Sequence, residues 1–231
     1  MSIHWEIHDS VGHLTLDRPE KANAYDRAHL KAIDAAIDEM QPDARVIVIH
    51  STHPSVFCAG ADLDEMRTAM PSDAAKLFSQ RVFTKLARAT MFSIAVVEGM
   101  AIGGGCELAL AADLRVVGLN AIFRLPETKL GIIPAAGGCT RMTELLGPSI
   151  AKQVIVAGTD IDQTSAIRWG LAIDGGSQPL DTANRLAAEV AAKSPSAVAH
   201  AKHTVDRRME DLSLAREREN QAMLYAERAK D

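Results

Sequence analysis

Ile3, Trp5 and Ile7 alternate with polar residues, Asp9-Ser10-Val11-Gly12 offers a turn, and His13-Leu14-Thr15-Leu16 follows; together they predict a β-hairpin with one buried face. Pro19 and the polar cluster around it break any period across 18–24, so that stretch reads as a loop. From Asp26 the period changes: Leu30, Ile33, Ile37 and Met40 recur at three and four, which predicts an amphipathic helix that Pro42 stops. Arg45-Val46-Ile47-Val48-Ile49-His50 is a continuous branched run, the mark of a strand covered on both faces in a parallel sheet. Val56 to Leu63 follows, then predicted helices over 62–69 and 73–89, a buried strand over 94–97, a helix over 108–112 and strands over 113–117 and 121–123. Alternating strands and helices from 26 to 117 imply an α/β core with right-handed crossovers. Gly147-Pro148 closes one helix and opens the next. From 148 onward the chain reads as helical and without strands, an appended subdomain in which Leu180, Ala183, Leu186, Ala187 and Val190 form one stripe. Ser194-Pro195 starts another helix, and Arg216-Glu217-Arg218-Glu219 marks a solvated face of the last.

Composition narrows the function classes. With 47% hydrophobic residues over 231 positions the chain can build a large core, although at 4% aromatic content the aliphatic residues must do the packing. A formal charge of −5 argues against broad nucleic-acid binding, which needs a basic face. Cys58, Cys106 and Cys139 are odd in number and lack metal-ligand spacing, so free thiols in a reducing compartment are expected. The N-terminus has neither a basic region nor an apolar one, and no run is long enough to span a bilayer, so a soluble, cytoplasmic protein is expected.

The candidate chemistry centres on Gly99-Met100-Ala101-Ile102-Gly103-Gly104-Gly105-Cys106-Glu107, between the strand at 94–97 and the helix that follows. Glycines at a strand-to-helix junction let backbone N–H groups approach a bound group, and the new helix adds its positive end. Glu107 falls in the first helical turn, where a carboxylate can face whatever those N–H groups hold; the ordinary alternative is a tight turn with a stabilising acidic residue. A second junction, Ala59-Gly60-Ala61, can bring another N–H to the same oxygen, and a pair of such donors stabilises a thioester enolate. Glu127 lies close in sequence to this machinery, and Gly131 to Gly138 forms another backbone-rich loop.

Here the chain resembles the crotonase superfamily, the enoyl-CoA hydratase/isomerase family. The resemblance rests on Phe57-Cys58-Ala59-Gly60-Ala61-Asp62-Leu63, Gly99 through Glu107, Pro126-Glu127-Thr128-Lys129-Leu130-Gly131-Ile132-Ile133-Pro134, Leu16-Asp17-Arg18-Pro19 and Ala22-Asn23-Ala24, and covers residues 3 to about 205. It implies an α/β crotonase (ClpP-like) fold: repeated ββα units in a spiral core over 1–193, then a helical trimerisation region over 194–231 in a trimer or dimer of trimers. It implies that the Ala61 and Gly104 N–H groups hold the thioester oxygen. Glu107, 20 positions before Glu127, would then activate water for attack at Cβ, and Glu127 would exchange the proton at Cα. Lys21, Ala22, Ala24, Ala59, Asp62, Leu63 and Ala135 would meet an acyl-CoA substrate, with no metal or redox cofactor and with neither nucleic acid nor membrane as a partner. Hydration of trans-2-enoyl-CoA, or its reverse, is the expected reaction. Δ3,Δ2-isomerisation through Glu127 and dehydration of branched or carrier-bound chains stand behind it.

The resemblance has departures. Pro134-Ala135-Ala136 stands where many hydratases have Pro-Gly-Ala, so any need for positive φ would be strained. Arg124 stands where relatives carry a small residue; it either meets an acidic acyl tail or forms a surface ion pair. The chain closes on Arg228-Ala229-Lys230-Asp231 rather than the Glu-Gly…Phe-x-Glu-Lys-Arg tail that helps cover CoA in relatives. Other readings fare worse. The glycines at 99, 103, 104 and 105 do not make G-x-G-x-x-G. Cys106, Cys58 and Cys139 read as packed thiols, Met66, Met70 and Met91 as filler, Arg207 and Arg208 as solvated, and none of the eight His as a ligand. A non-catalytic binding protein is the remaining alternative.

Overall fold

A computed structural model of the chain describes residues 3–62, 77–206, 218, 219 and 222. Helix 62–69, the first part of helix 73–89, and Leu63, Met66, Met70, Arg207, Arg208 and Arg216 lie outside them.

The hairpin forms as the alternation predicts. β1 (Ile3–His8) pairs antiparallel with β2 (Val11–Leu16), Ile3 opposite Leu16 and His8 opposite Val11. The two turn residues, Asp9 and Ser10, have φ of 48° and 65°, so both central positions are left-handed, as a two-residue hairpin of right-handed twist requires. Asp26 caps α1 (Arg27–Met40), its carboxylate accepting the Ala28 and His29 N–H groups. β3 (Val46–Ser51) then runs parallel between β2 and β5 (Phe92–Val97). β7 (Leu114–Gly118) and β10 (Ile173–Gly176) complete a six-stranded sheet in the order β1-β2-β3-β5-β7-β10.

A smaller sheet has the order β4-β6-β8-β9, built from Val56–Cys58, Met100–Ile102, Ile122–Arg124 and Ile161–Asp162. Each pass of the chain lays one strand in the large sheet and one in the small, as β3 then β4, β5 then β6, and β7 then β8. Among the described residues the intervening helices are α2 (Phe78–Arg88), α3 (Gly104–Ala111) and α4 (Gly138–Ile155), followed by α5 (Gln163–Arg168), α6 (Pro179–Ala191) and α7 (Pro195–Asp206). Gly147 interrupts α4 at φ 77°, ψ 162°, with Pro148 restarting the helix behind it.

The branched run in β3 is buried on both sides. Ile47 and Ile49 join the main core with Ile33, Ile37, Phe83 and Leu86, while Val46 and Val48 meet Ala183, Ala187 and Ala191 of α6 across the sheet. Alanines four residues apart on α6 let the helix lie close on a sheet of valines and isoleucines.

The region after 148 is not strand-free. β9 pairs antiparallel with β8, and β10 adds a parallel edge to β7. Both were invisible to periodicity, since β9 has two residues and β10 reads Ile-Asp-Gly-Gly, with one branched residue. That part of the chain closes both sheets of the core.

The hairpin also gathers scattered histidines. His8, His13 and His50 line one face, with ring centroids 6.5 Å and 6.0 Å apart in succession, and His50 Nε2 lies 3.1 Å from Thr15 Oγ1. Burial lowers the proton affinity of His13 and His50, so both stay neutral in the fold below the pH at which the unfolded chain protonates them. Their contribution to stability is therefore complete above about pH 6.5 and is lost on acidification. Thermal unfolding should show His13→Gln/His50→Gln losing less stability than wild type between about pH 7.5 and pH 5; equal losses would contradict this.

Candidate active site

The groups singled out in the sequence emerge from the C-terminal ends of three neighbouring parallel strands. Ala61 lies three residues beyond β4, Gly104 two beyond β6 and Glu127 three beyond β8. Strands in a sheet stand about 4.8 Å apart, so this edge sets the Ala61, Gly104 and Glu127 loops side by side. Ligands bind at such edges in parallel sheets.

The glycine triplet has three separate reasons. Gly103 has φ 54° and ψ −124°, and a methyl there would lie 2.9 Å from Glu127 Oε1. A methyl on Gly104 would meet the Tyr25 hydroxyl at 1.9 Å, and one on Gly105 the Cys58 carbonyl oxygen at 2.1 Å. The close approaches are thus to the protein's own groups as well as toward the open edge. Among the described residues neither the Ala61 nor the Gly104 N–H donates to a main-chain carbonyl outside regular elements, and Gly104, first in α3, has no carbonyl a turn earlier to bond.

Two carboxylates flank this edge, and both are buried. Glu107, in the first turn of α3, accepts the Gly138 N–H on Oε1 at 2.8 Å. Gly138 opens α4 directly behind the 131–137 loop, so that loop fixes the carboxylate's orientation. Glu127 begins a short 3-10 turn, Glu127–Leu130, that ends at left-handed Gly131. Its Oε2 is buried without a hydrogen-bond partner among the described residues, and burial pushes its carboxyl up to about 7. The structure therefore brings together one carboxylate held by an N–H and one poised to exchange a proton at neutral pH. Burial raises the Cys106 thiol, with the charges of Glu127 and Glu107 acting the same way, and pushes Cys58 up to about 12, so both are inert packed thiols.

The 18–25 loop docks on β4. Ala22 and Asn23 are both left-handed, at φ 51° and 56°. The Asn23 amide bonds Ser51 Oγ at 2.7 Å and the Phe57 carbonyl at 3.1 Å, and its carbonyl oxygen accepts the Arg18 N–H at 2.7 Å. The Ala22 carbonyl accepts the Ala59 N–H at 3.0 Å, and the Ala24 carbonyl accepts Arg18 Nη1 at 2.8 Å. Buried Asp62 lies 3.4 Å from Arg18 and 3.6 Å from Lys21, so Lys21, Ala22, Ala24, Ala59 and Asp62 form one rim. The Ala135 carbonyl accepts Gln80 Nε2 at 2.7 Å, and Gln80 is also bonded by Arg218. Ala135 and Ala136 are absent from the residues with positive φ, so this loop takes its shape without the strain expected of Ala in place of Gly.

Arg124 resolves in favour of the ion pair. Its guanidinium makes a fork with Asp160, Nε to Oδ1 at 2.7 Å and Nη2 to Oδ2, on a part-exposed surface. The useful part of Arg124 is its main chain, whose carbonyl accepts the Gly103 N–H at 2.8 Å. Arg124→Ala should cost less than about 1 kcal/mol of stability. It should also leave the kcat/KM ratio between plain and carboxylate-bearing acyl thioesters unchanged, and a shift in that ratio would restore the acidic-tail reading.

Sequence reasoning missed Tyr25, Gly138, Gln80 and the roles of Arg18 and Asn23. The tolerance of Asn for left-handed backbone was the available signal for Asn23, and Arg18 bonds within its own loop, whereas Tyr25, Gly138 and Gln80 act through contacts between distant segments. Among the described residues no group of three or more His, Cys, Asp or Glu converges to hold a metal ion, and no helix is long and apolar enough to cross a membrane.

Comparisons with known proteins place the chain in a family. The family model described as enoyl-CoA hydratase/isomerase matches residues 6–231. The chain is 40% identical over 204 residues to "Probable enoyl-CoA hydratase 2, mitochondrial" of Arabidopsis thaliana, covering 85% of this chain and 67% of that one. It is 34% identical over 223 residues to the short-chain-enoyl-CoA hydratase of Clostridium acetobutylicum, covering 93% and 85%. The crystal structure of an enoyl-CoA hydratase from Bacillus anthracis superposes with a TM-score of 0.85 at 28% identity, covering 100% of this chain and 93% of that one. The ββα spiral, its strand-end loops and the match over nearly the whole chain have one explanation: this chain belongs to the enoyl-CoA hydratase/isomerase family, the crotonase superfamily.

Proposed function

We propose that the chain is an enoyl-CoA hydratase, adding water syn across the double bond of a trans-2-enoyl-CoA or dehydrating the 3-hydroxyacyl-CoA. The observation that carries this reading is the pair of buried carboxylates, Glu107 fixed by the Gly138 N–H and Glu127 with an unpartnered oxygen and a pKa of about 7. The Ala61 and Gly104 N–H groups hold the thioester oxygen as it takes up enolate charge. Glu107 orients water and removes its proton as the oxygen attacks Cβ, and Glu127 delivers a proton to Cα. The electron pair of the double bond thus passes to the enolate and returns to the new C–H bond. This chemistry calls on no metal or redox cofactor, because the two N–H groups neutralise the developing charge.

The rim of Lys21, Ala22, Ala24, Ala59 and Asp62 meets CoA largely through main chain, a role that falls also to Ala135 and to Leu63, which lies outside the described residues. Residues 194–231 assemble the protein as a trimer or a dimer of trimers; apart from the Lys202 side chain, the described part of α7 stays half-buried or exposed within one chain, which supports a contact elsewhere. Three free cysteines favour a reducing compartment such as the cytoplasm. Isomerisation is the second reading, favoured by the free oxygen on Glu127 alone. Turnover of crotonyl-CoA by wild type, Glu107→Gln and Glu127→Gln tests both: hydration needs both carboxylates. Turnover of a 3-enoyl-CoA that survives Glu107→Gln but not Glu127→Gln would establish isomerisation instead.

A further inference from the structure

We propose that Tyr25 is a positioning residue that sets the separation between the Ala61 and Gly104 N–H groups, a role that rests on reading those two groups as an oxyanion hole. Its main chain grips one arm. The Tyr25 N–H donates to the Gly60 carbonyl and its carbonyl accepts the Asp62 N–H, both at 2.8 Å, in a parallel bridge centred on Ala61. Bonding the residues on either side leaves the Ala61 N–H on the opposite edge of that segment. Its side chain abuts the other arm, the hydroxyl ending where a methyl on Gly104 would lie 1.9 Å away.

The ring that joins the arms is itself clamped. Tyr25 is 7% exposed and stands edge-on to Phe83 with centroids 5.8 Å apart at 89°, and Ser79 lies close enough to its hydroxyl to favour the charged form. Ser79 and Phe83 both belong to α2. The arms also meet directly, since a methyl on Gly60 would lie 3.0 Å from the Gly104 nitrogen. One aromatic residue with two side-chain torsions therefore spans the Ala61 bridge, the start of α3 and α2. Preorganised donors lose their effect when their spacing drifts by about half an ångström, and a core tyrosine without this role would affect stability alone.

The test uses cinnamoyl-CoA, a chromophoric enoyl thioester whose absorption moves to the red when its carbonyl is polarised, read beside crotonyl-CoA kinetics and thermal unfolding. Tyr25→Phe keeps the ring and removes the hydroxyl; Ser79→Ala removes the side chain beside that hydroxyl and leaves Tyr25 whole. Tyr25→Phe is expected to bind the probe within about threefold of wild type, to show less than about half the red shift, and to lose about tenfold in kcat with KM little changed. Ser79→Ala is expected to move the same way by less, and decides the matter if Tyr25→Phe does not fold. A full red shift with kcat within about twofold of wild type in the folded variant overturns the inference alone. A wild type that neither shifts the probe nor turns over an enoyl thioester overturns the functional reading and the inference together.

Discussion

Glu127→Gln is expected to lose about a thousandfold or more in hydration rate and yet to unfold at a higher temperature than wild type at alkaline pH. The rate loss follows from removing a proton donor whose contribution in such sites is about 10²–10⁴-fold. The gain in stability follows from burial. The folded carboxyl sits at about 7 against 4.5 for an ordinary glutamate, so the folded state binds the proton more tightly than the unfolded state. Stability from this group is complete below about pH 4.5 and is lost as pH rises through about 7, a difference on the order of 3 kcal/mol. A neutral amide does not carry that penalty. The unfolding midpoint of Glu127→Gln should therefore exceed that of wild type by several degrees near pH 8 and converge on it near pH 5. In wild type, kcat/KM for hydration should fall above about pH 7 as Glu127 loses its proton. A variant no more stable than wild type at any pH would show that Glu127 is solvated.

Lys202→Met is expected to be strongly destabilising although it lies away from the site. Lys202 Nζ lies 2.8 Å from Asp113 Oδ2, with the two side chains 6% and 11% exposed, and it also donates to the Met91 carbonyl at 2.9 Å. Asp113 Oδ2 accepts the Ser93 N–H at 2.6 Å and the Ser93 hydroxyl at 2.9 Å, so one carboxylate ties α7 to the start of β5. Asp206 is close enough for burial and the charge of Asp113 to raise its proton affinity, with Lys202 opposing. Removing the lysine leaves a buried carboxylate with a carboxylate neighbour and no cation between them. Breaking a buried pair this way costs about 3–5 kcal/mol, or about 6–20 °C in a chain of this size. Lys202→Met/Asp113→Asn should recover much of the loss, since the charge goes with its partner. A single variant within about 0.5 kcal/mol of wild type would show that the pair is exposed in solution.

The sequence made legible what short-range pattern encodes. The turn that begins at Asp9-Ser10, the amphipathic helix from Asp26, the two-sided burial of β3 and the helix break at Gly147 each follow from a few adjacent residues. So does the placement of Glu107 in the first turn of a helix behind a glycine run. β10 escaped because Ile173-Asp174-Gly175-Gly176 carries almost no strand signal; its place comes from pairing with β7, more than fifty positions earlier. Arg124 was ambiguous for the same reason: its partner, Asp160, comes from β9's approach, which no local pattern announces. The glycine triplet was read as space for a ligand, whereas Tyr25 and Cys58 occupy the space beside Gly104 and Gly105. Such contacts are long-range, and a single sequence does not contain them.

The delivery of Ala61, Gly104 and Glu127 from three successive strand ends carries a consequence for how this architecture acquires new reactions. Each loop begins where a short strand of the small sheet has already been locked into register by its neighbours; those after β4 and β6 lead through α2 and α3 to the large sheet, and the one after β8 leads through α4 back to the small sheet at β9. A substitution at one strand end therefore retools a single chemical station while the other two keep their address. Libraries confined to 59–62, 103–107 and 125–138, with Gly60, Gly103, Gly104, Gly105, Gly137 and Gly138 held fixed, should explore changed proton placement and acyl preference with little loss of folded protein. Equal diversity spread over β3, β5 and β7 would dissolve the scaffold before any new chemistry appeared.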